Sequence, residues 1–373
     1  MNKKYCIFLT VLFSLFIGGI LVGSLLAPDK EFSELENRYL QTPPKLSWEN
    51  LQSGKFMEDA EDYVNDHVIG RDLWVALKAW SERLSGKQEN NGVYFGKEDT
   101  LINRLDEPDH DTLMTSAGFV NALVNNVDVP VYFGIIPSAA EIWSDRLPAG
   151  APTADEAAII EELYDTVQTY TIDVYSALEE HKGEDIYYRT DHHWTSLGAY
   201  YGYTALMETM GMEAAPLDED AKVTVSDSFY GTIFSSSGVR WVAPDHIDRY
   251  ISGDGLKVTA YFDGTPTDST LYVDSYLDKK DKYSSFLGGN QPLCVIETEH
   301  TDAPKVLVIR DSYSDSLAPF LTQNFSEIHL FDPRMNLNSV KDYVETNEID
   351  QVVVLYSISN FISSSKDLFV LSR

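Results

Sequence analysis

Lys305-Val306-Leu307-Val308-Ile309-Arg310-Asp311-Ser312-Tyr313 is the stretch whose reading decides the fold. Its four apolar residues form a short unbroken run with no polar alternation, which predicts a strand over Lys305–Ile309 that is covered on both faces. A polar turn follows, then a helix over about 313–324. Toward the C-terminus the alternation repeats as strand Glu327–Phe331, helix about 337–347 and strand Gln351–Tyr356. In the other direction, Val129–Ile136 reads as another buried strand between helices near 111–127 and 153–169. A short strand Asp185–Tyr188 and a helix near 195–211 come next. Strands alternating with helices imply βαβ units, hence a parallel sheet in an α/β sandwich.

Between the two halves, residues 221–300 are rich in Gly, Ser, Thr, Tyr and Asp and carry short strand-like runs at Val223–Val225, Val258–Phe262 and Leu271–Val273. This composition predicts a β-rich insertion or lid within the same domain. Upstream, apolar positions from Phe56 to Trp80 recur near helical spacing with a break at Gly70. The expected organisation is therefore an anchor over 1–27, a polar Pro43-Pro44 stalk over 28–53 and one catalytic domain over 54–373.

The anchor is read from an uncharged apolar run, Tyr5–Leu26, that at about 1.5 Å per residue reaches roughly across a bilayer's hydrocarbon core. Lys3 and Lys4 precede it, and Asp29, Glu31, Glu34 and Glu36 follow. This positive-inside bias keeps the N-terminus cytoplasmic and places the rest outside the cell membrane, as a single-pass protein. Leu25-Leu26-Ala27-Pro28 does not supply the small-x-small pattern of a cleavage site, so an uncleaved anchor is expected. Only Cys6, inside that run, and Cys294 are present, so the fold must be held by its core and not by a disulfide. With 59 Asp plus Glu against 28 Lys plus Arg, the formal charge of −31 argues against nucleic acid as a partner.

Chemistry concentrates in two segments. The first is Arg189-Thr190-Asp191-His192-His193-Trp194-Thr195. Side chains two apart in extended backbone share a side, so Asp191 and His193 can face together while His192 faces away. An aspartate that fixes an imidazole's tautomer and a histidine that takes a hydroxyl proton are two parts of a serine triad. Two further readings stand at this point: a metal site using both histidines, and a structural cluster in which Thr195 or Ser196 caps the following helix. No paired histidine spacing elsewhere supplies further ligands.

The second segment is the opening one. Ser312 stands at the carboxyl end of a strand, where open α/β sheets place their sites, and just before a helix N-terminus. Taken alone, it reads better as a helix cap.

Together, Asp191-His192-His193-Trp194 and Arg310-Asp311-Ser312-Tyr313 resemble the DHHW family, and the sequence is also similar to the periplasmic alginate O-acetylation proteins, which are SGNH-hydrolase-like. Supporting landmarks are Glu36-Asn37-Arg38, Asn65-Asp66-His67 through Arg71, Asn91–Gly96 and Gly289-Asn290-Gln291-Pro292. Arg310 stands where many relatives carry lysine, and Gln291 where they carry histidine. The resemblance implies a three-layer α/β/α sandwich in which the Asp-x-His pair precedes the serine, a permuted order. It implies Ser312 as nucleophile, His193 as base and Asp191 as its orienting carboxylate. Gly289, Asn290, Arg310 and Tyr313 are then candidates for oxyanion or substrate contacts, with no cofactor or metal required. The implied activity is O-acetyl transfer to, or acetylesterase action on, a cell-surface polysaccharide, with the acetyl donor supplied through a membrane-bound O-acyltransferase. The rival readings are a non-catalytic carbohydrate-binding or scaffold protein of the cell envelope and a metal-dependent deacetylase.

Overall fold

Along Lys305–Arg310, Val306 and Val308 enter one apolar cluster while Leu307 and Ile309 enter another, and this alternation builds the architecture. In the computed structural model the described residues are all but Met1, Asn2, Glu34, Asn37 and Ser364. Glu34 and Asn37, which entered the reading above, therefore lie outside the described residues. The chain divides into two compact units, Met1–Asn91 with Ser235–Arg240, and Gly92–Phe234 with Trp241–Arg373.

The second unit contains strands β1 (Val131–Ile136), β2 (Tyr170–Ile172), β3 (Val223–Phe229), β4 (Asp245–Arg249), β5 (Lys257–Ala260), β6 (Thr267–Ser269), β7 (Leu293–Glu297), β8 (Lys305–Arg310), β9 (Glu327–Phe331) and β10 (Gln351–Ser357). Eight of these form one sheet in the order β6-β5-β7-β9-β8-β10-β1-β2. Pairing is parallel from β9 through β2, with Ile309 opposite Phe331 and Arg310 opposite Leu355. It is antiparallel where β7, β5 and β6 extend the other side. β3 and β4 pair separately, with irregular register.

One face of the sheet packs Val306, Val308, Leu330 and Leu355 against helices α3 (Ser196–Met210) and α4 (Ser314–Leu321) through Tyr203, Leu206, Leu317 and Leu321. The other packs Leu307, Ile309, Val354 and Phe133 against α1 (His110–Asn126), α2 (Glu156–Thr166) and α5 (Val340–Asn347). The result is a three-layer α/β/α sandwich, as expected. Truncating any of these fully buried aliphatics to alanine costs about 2–5 kcal/mol, because the close-packed layers relax only partly.

Four expectations shift. Asp185–Tyr188 makes only an isolated bridge, Tyr187 to Trp194, and not a strand. Leu271–Val273 is replaced by β6, and Tyr272 bridges Phe286 instead. The β-rich stretch 221–300 is partly integral, since β5, β6 and β7 continue the main sheet. Helix α4 ends at Leu321, before the expected position, where the chain leaves through i→i−3 turns in which Thr322 N, Gln323 N and Asn324 N donate to Pro319 O, Phe320 O and Leu321 O.

In the first unit, helices Lys55–His67 and Arg71–Leu84 flank Gly70, whose φ of 71° is left-handed and marks the expected break. The landmarks around Glu36 and Asp66 form an ion-pair lock: Arg38 pairs with both acids, and Arg71 reaches Glu36 at 2.5 Å. Among the described residues, one helix, Lys3–Leu26, is long and apolar enough to cross a membrane.

Candidate active site

β8 lies inside the parallel part of the sheet, so the turn that leaves it emerges at the carboxyl ends of its neighbours. Asp311 fixes that turn. Its Oδ1 accepts from Tyr313 N at 3.0 Å, and its Oδ2 accepts from Ser357 N at 3.0 Å, Ser357 Oγ at 2.6 Å and Asn360 Nδ2 at 2.8 Å. The Ser312 turn is thereby tied to the end of β10. Ser312 is 9% exposed. Its own N–H has no hydrogen-bond partner among the described residues, and so points to no competing acceptor.

The Asp191–His193 segment folds quite differently. It is an irregular loop with backbone anchors supplied from far along the chain. Asp245 accepts from Arg189 N (3.1 Å), Thr190 N (2.9 Å) and Thr190 Oγ1 (2.5 Å). Thr232 donates from N at 2.7 Å and from Oγ1 at 2.9 Å to Asp191 Oδ2. Gly231 lets that strap come close, since a Cβ there would sit 2.2 Å from the Asp191 carboxylate.

These supports bring the three side chains into line across 119 positions of sequence. Asp191 Oδ1 accepts from His193 N at 3.0 Å and from Nδ1 at 2.5 Å, and His193 Nε2 lies 2.8 Å from Ser312 Oγ. With the carboxylate ionised, Nδ1 carries the proton and Nε2 is left to accept from the serine hydroxyl. Burial alone would raise the Asp191 pKa. The charges of His192 and His193 outweigh it, aided by the hydrogen bonds from His193 and Thr232, and hold the group well below the usual carboxylate range. Such an array can deprotonate the hydroxyl and hand the proton to a leaving group.

His192 turns away from the serine. Its Nδ1 lies 2.7 Å from Thr232 Oγ1, and desolvation together with the neighbouring His193 lowers its pKa to about 4. Asp191, His192 and His193 do present donor atoms within 4.8 Å of one another, the basis of the metal reading. Those atoms are already committed: both His193 nitrogens to Asp191 and Ser312, His192 Nδ1 to Thr232, and Asp191 to four donors. A cation would have to break the relay to bind, so the donor set does not fit a metal.

The other candidates have the following surroundings. Arg310 is fully buried and pairs with Asp315 at 2.7 Å, beneath the turn and out of reach of a substrate. Tyr313 is 3% exposed. Its hydroxyl donates to the His192 carbonyl, and its own carbonyl accepts from Trp194 Nε1 at 2.8 Å, so it stitches the two segments together. Gly289 packs against Ser284 and donates to Phe286 O, while Asn290 is exposed. Thr195 caps α3 by accepting from Gly198 N. Sequence reasoning missed Asp245, Thr232 and Asp311 as supports. Asp311 adjoins the serine and was within reach. Asp245 and Thr232 carry no local signal.

Residues 116–331 match the model of a family described as DHHW protein. The chain belongs to the DHHW family. Among solved structures, a DHHW family protein from Eubacterium siraeum superposes with a TM-score of 0.66 at 25% identity, over 75% of this chain and 95% of that one. Bacillus cereus PatB1 with a sulfonyl adduct gives 0.61 at 21% identity, covering 75% and 98%. The O-acetyltransferase domain of Pseudomonas putida AlgJ gives 0.43 at 16%, covering 73% and 92%. No curated protein matches the sequence significantly.

Proposed function

We propose that this DHHW protein is a serine-dependent O-acetyltransferase or acetylesterase that acts outside the cell membrane on a polysaccharide through an acyl-serine intermediate. One observation carries the reading: the Asp191–His193–Ser312 relay, with its 2.5 and 2.8 Å contacts. In the proposed cycle His193 Nε2 takes the Ser312 proton as Oγ attacks an ester carbonyl. The proton then passes to the departing oxygen, leaving the acyl group on Ser312. The free N–H of Ser312 is the proposed oxyanion donor. A sugar hydroxyl or water, deprotonated by the same histidine, releases the acyl group. Acetyl as the acyl group, a polysaccharide as acceptor and a membrane-bound O-acyltransferase as donor partner follow from the resemblance to the DHHW and alginate O-acetylation proteins. The apolar helix Lys3–Leu26 supports a single-pass anchor with the α/β unit outside.

The test is direct. The full chain in detergent, incubated with a chromogenic acetyl ester with and without candidate glycans, is expected to release acetate or to acetylate the glycan, and a serine-reactive sulfonyl fluoride is expected to label Ser312 stoichiometrically. Absence of labelling with activity intact would sink the serine mechanism, and absence of both would favour a scaffold. Activity abolished by a chelator and restored by zinc would revive the metal reading.

A further inference from the structure

Tyr283, in a short 3₁₀ turn over Tyr283–Ser285, touches the relay from a direction that neither catalytic segment supplies. Its ring lies flat on the His193 imidazole, with centroids 3.8 Å apart and planes 9° from parallel. Its hydroxyl donates to the Ser312 carbonyl at 2.9 Å and lies 3.1 Å from Ser316 Oγ. The side chain is 4% exposed, and Phe286, Tyr188 and Phe229 back it in a small aromatic cluster. A single residue thus holds both the base and the backbone of the nucleophile.

We propose that Tyr283 is a positioning residue for acyl transfer, and this rests on the serine-enzyme reading above. Two physical effects follow from the stack. The ring covers one face of the imidazole and so holds its plane, while the contacts of Nδ1 with Asp191 and of Nε2 with Ser312 set which edge faces which partner. When the Ser312 Oγ–H bond breaks and the Nε2–H bond forms, the imidazole becomes a cation against an aromatic face, which attracts it. That attraction is absent before proton transfer. It therefore acts on turnover and not on substrate binding. The other rings near His193, those of His192 at 3.9 Å and Tyr313 at 5.0 Å, are tilted by 36° and 54° and cannot replace the flat contact. The hydroxyl has a separate task, since it fixes the carbonyl of the residue whose Oγ must attack.

Two variants of the full chain separate these tasks. Tyr283→Phe keeps the ring and loses the hydroxyl, and is expected to hold kcat for a small acetyl ester within about threefold. Tyr283→Leu loses the ring and is expected to lower kcat by about tenfold or more with KM within twofold, the scale of one desolvated cation–π contact. The rate of Ser312 labelling by a sulfonyl fluoride should fall in parallel, and near-UV circular dichroism monitors folding. If Tyr283→Leu is folded and labels at the wild-type rate, or if Tyr283→Phe loses as much as Tyr283→Leu, the stacking role is wrong. If wild-type Ser312 does not label at all, the serine reading itself fails, and the two failures are told apart. Should Tyr283→Leu not fold, Tyr283→Trp, which retains a flat face, must restore turnover to within tenfold of wild type, and its failure to do so while folded overturns the proposal.

Discussion

The two segments that meet at Ser312 are held in place by opposite means. The Ser312 turn is the direct continuation of a central strand, so the sheet carries it and one carboxylate, Asp311, ties it to the adjacent strand end. The Asp-His-His-Trp loop belongs to no sheet. Asp245 and Thr232 hold it, from 55 and 41 positions away. What the difference teaches is that the Ser312 hydroxyl takes its position from regular structure, whereas the imidazole and carboxylate that face it depend on a set of long-range polar contacts.

The largest test of that contrast is removal of the reacting groups. Ser312→Ala and His193→Ala should each lower acetyl-ester turnover by about a thousandfold or more, while His192→Ala, measured in the same assay, should stay within about tenfold of wild type. Equal losses for both histidines would mean that the loop acts as a block and not through one imidazole. Next in size is Asp245→Asn, which leaves several loop N–H groups with a poorer acceptor. It should lower kcat by about 10- to 100-fold with little change in KM, and lower the melting temperature by several degrees. Asp311→Asn tests the other segment. Because the strand still carries the turn, its effect on kcat should be smaller than that of Asp245→Asn, and a larger one would reverse the comparison.

The smallest effect concerns pH. Glu156 is fully buried and receives hydrogen bonds from Ser138 N and Oγ, yet burial prevails and raises its pKa to about 7. Its folded pKa lies above the unfolded value, so the folded state binds the extra proton. That contribution to stability is full below about pH 4.5 and is lost as the pH rises through about 7, on the order of a few kcal/mol in all. Thermal melts should therefore decline between pH 5 and 8, and Glu156→Gln should flatten that slope. An unchanged slope in the variant would assign the decline to another group.

The same contrast explains what could be read in advance. Val306–Ile309 and Gln351–Tyr356 are near-continuous apolar runs, and their strands lie within a residue of the expected bounds. Asp185–Tyr188 carries a similar local signal but becomes the wall of a loop, because its neighbour in space is Trp194 and not another strand. Asp191, His193 and Ser312 were legible because their residue types declare their chemistry. Arg310 declared a charge as well, yet the partner that takes it out of reach, Asp315, acts through packing that no spacing encodes. Tyr283 looked like one tyrosine among 22 until the fold laid it on an imidazole.

Both borders of the eight-stranded sheet are only three residues long, Thr267–Ser269 on one side and Tyr170–Ile172 on the other. Unpaired amides along a sheet border are templates for another chain, and a long apolar border invites fibrous association. Here one border consists wholly of Thr, Asp and Ser, and each offers too few free groups to seed a ladder. For a protein tethered to a surface as proposed above, neighbours diffuse in two dimensions and collide far more often than in free solution. Truncated borders let such a population crowd together without zipping into aggregates.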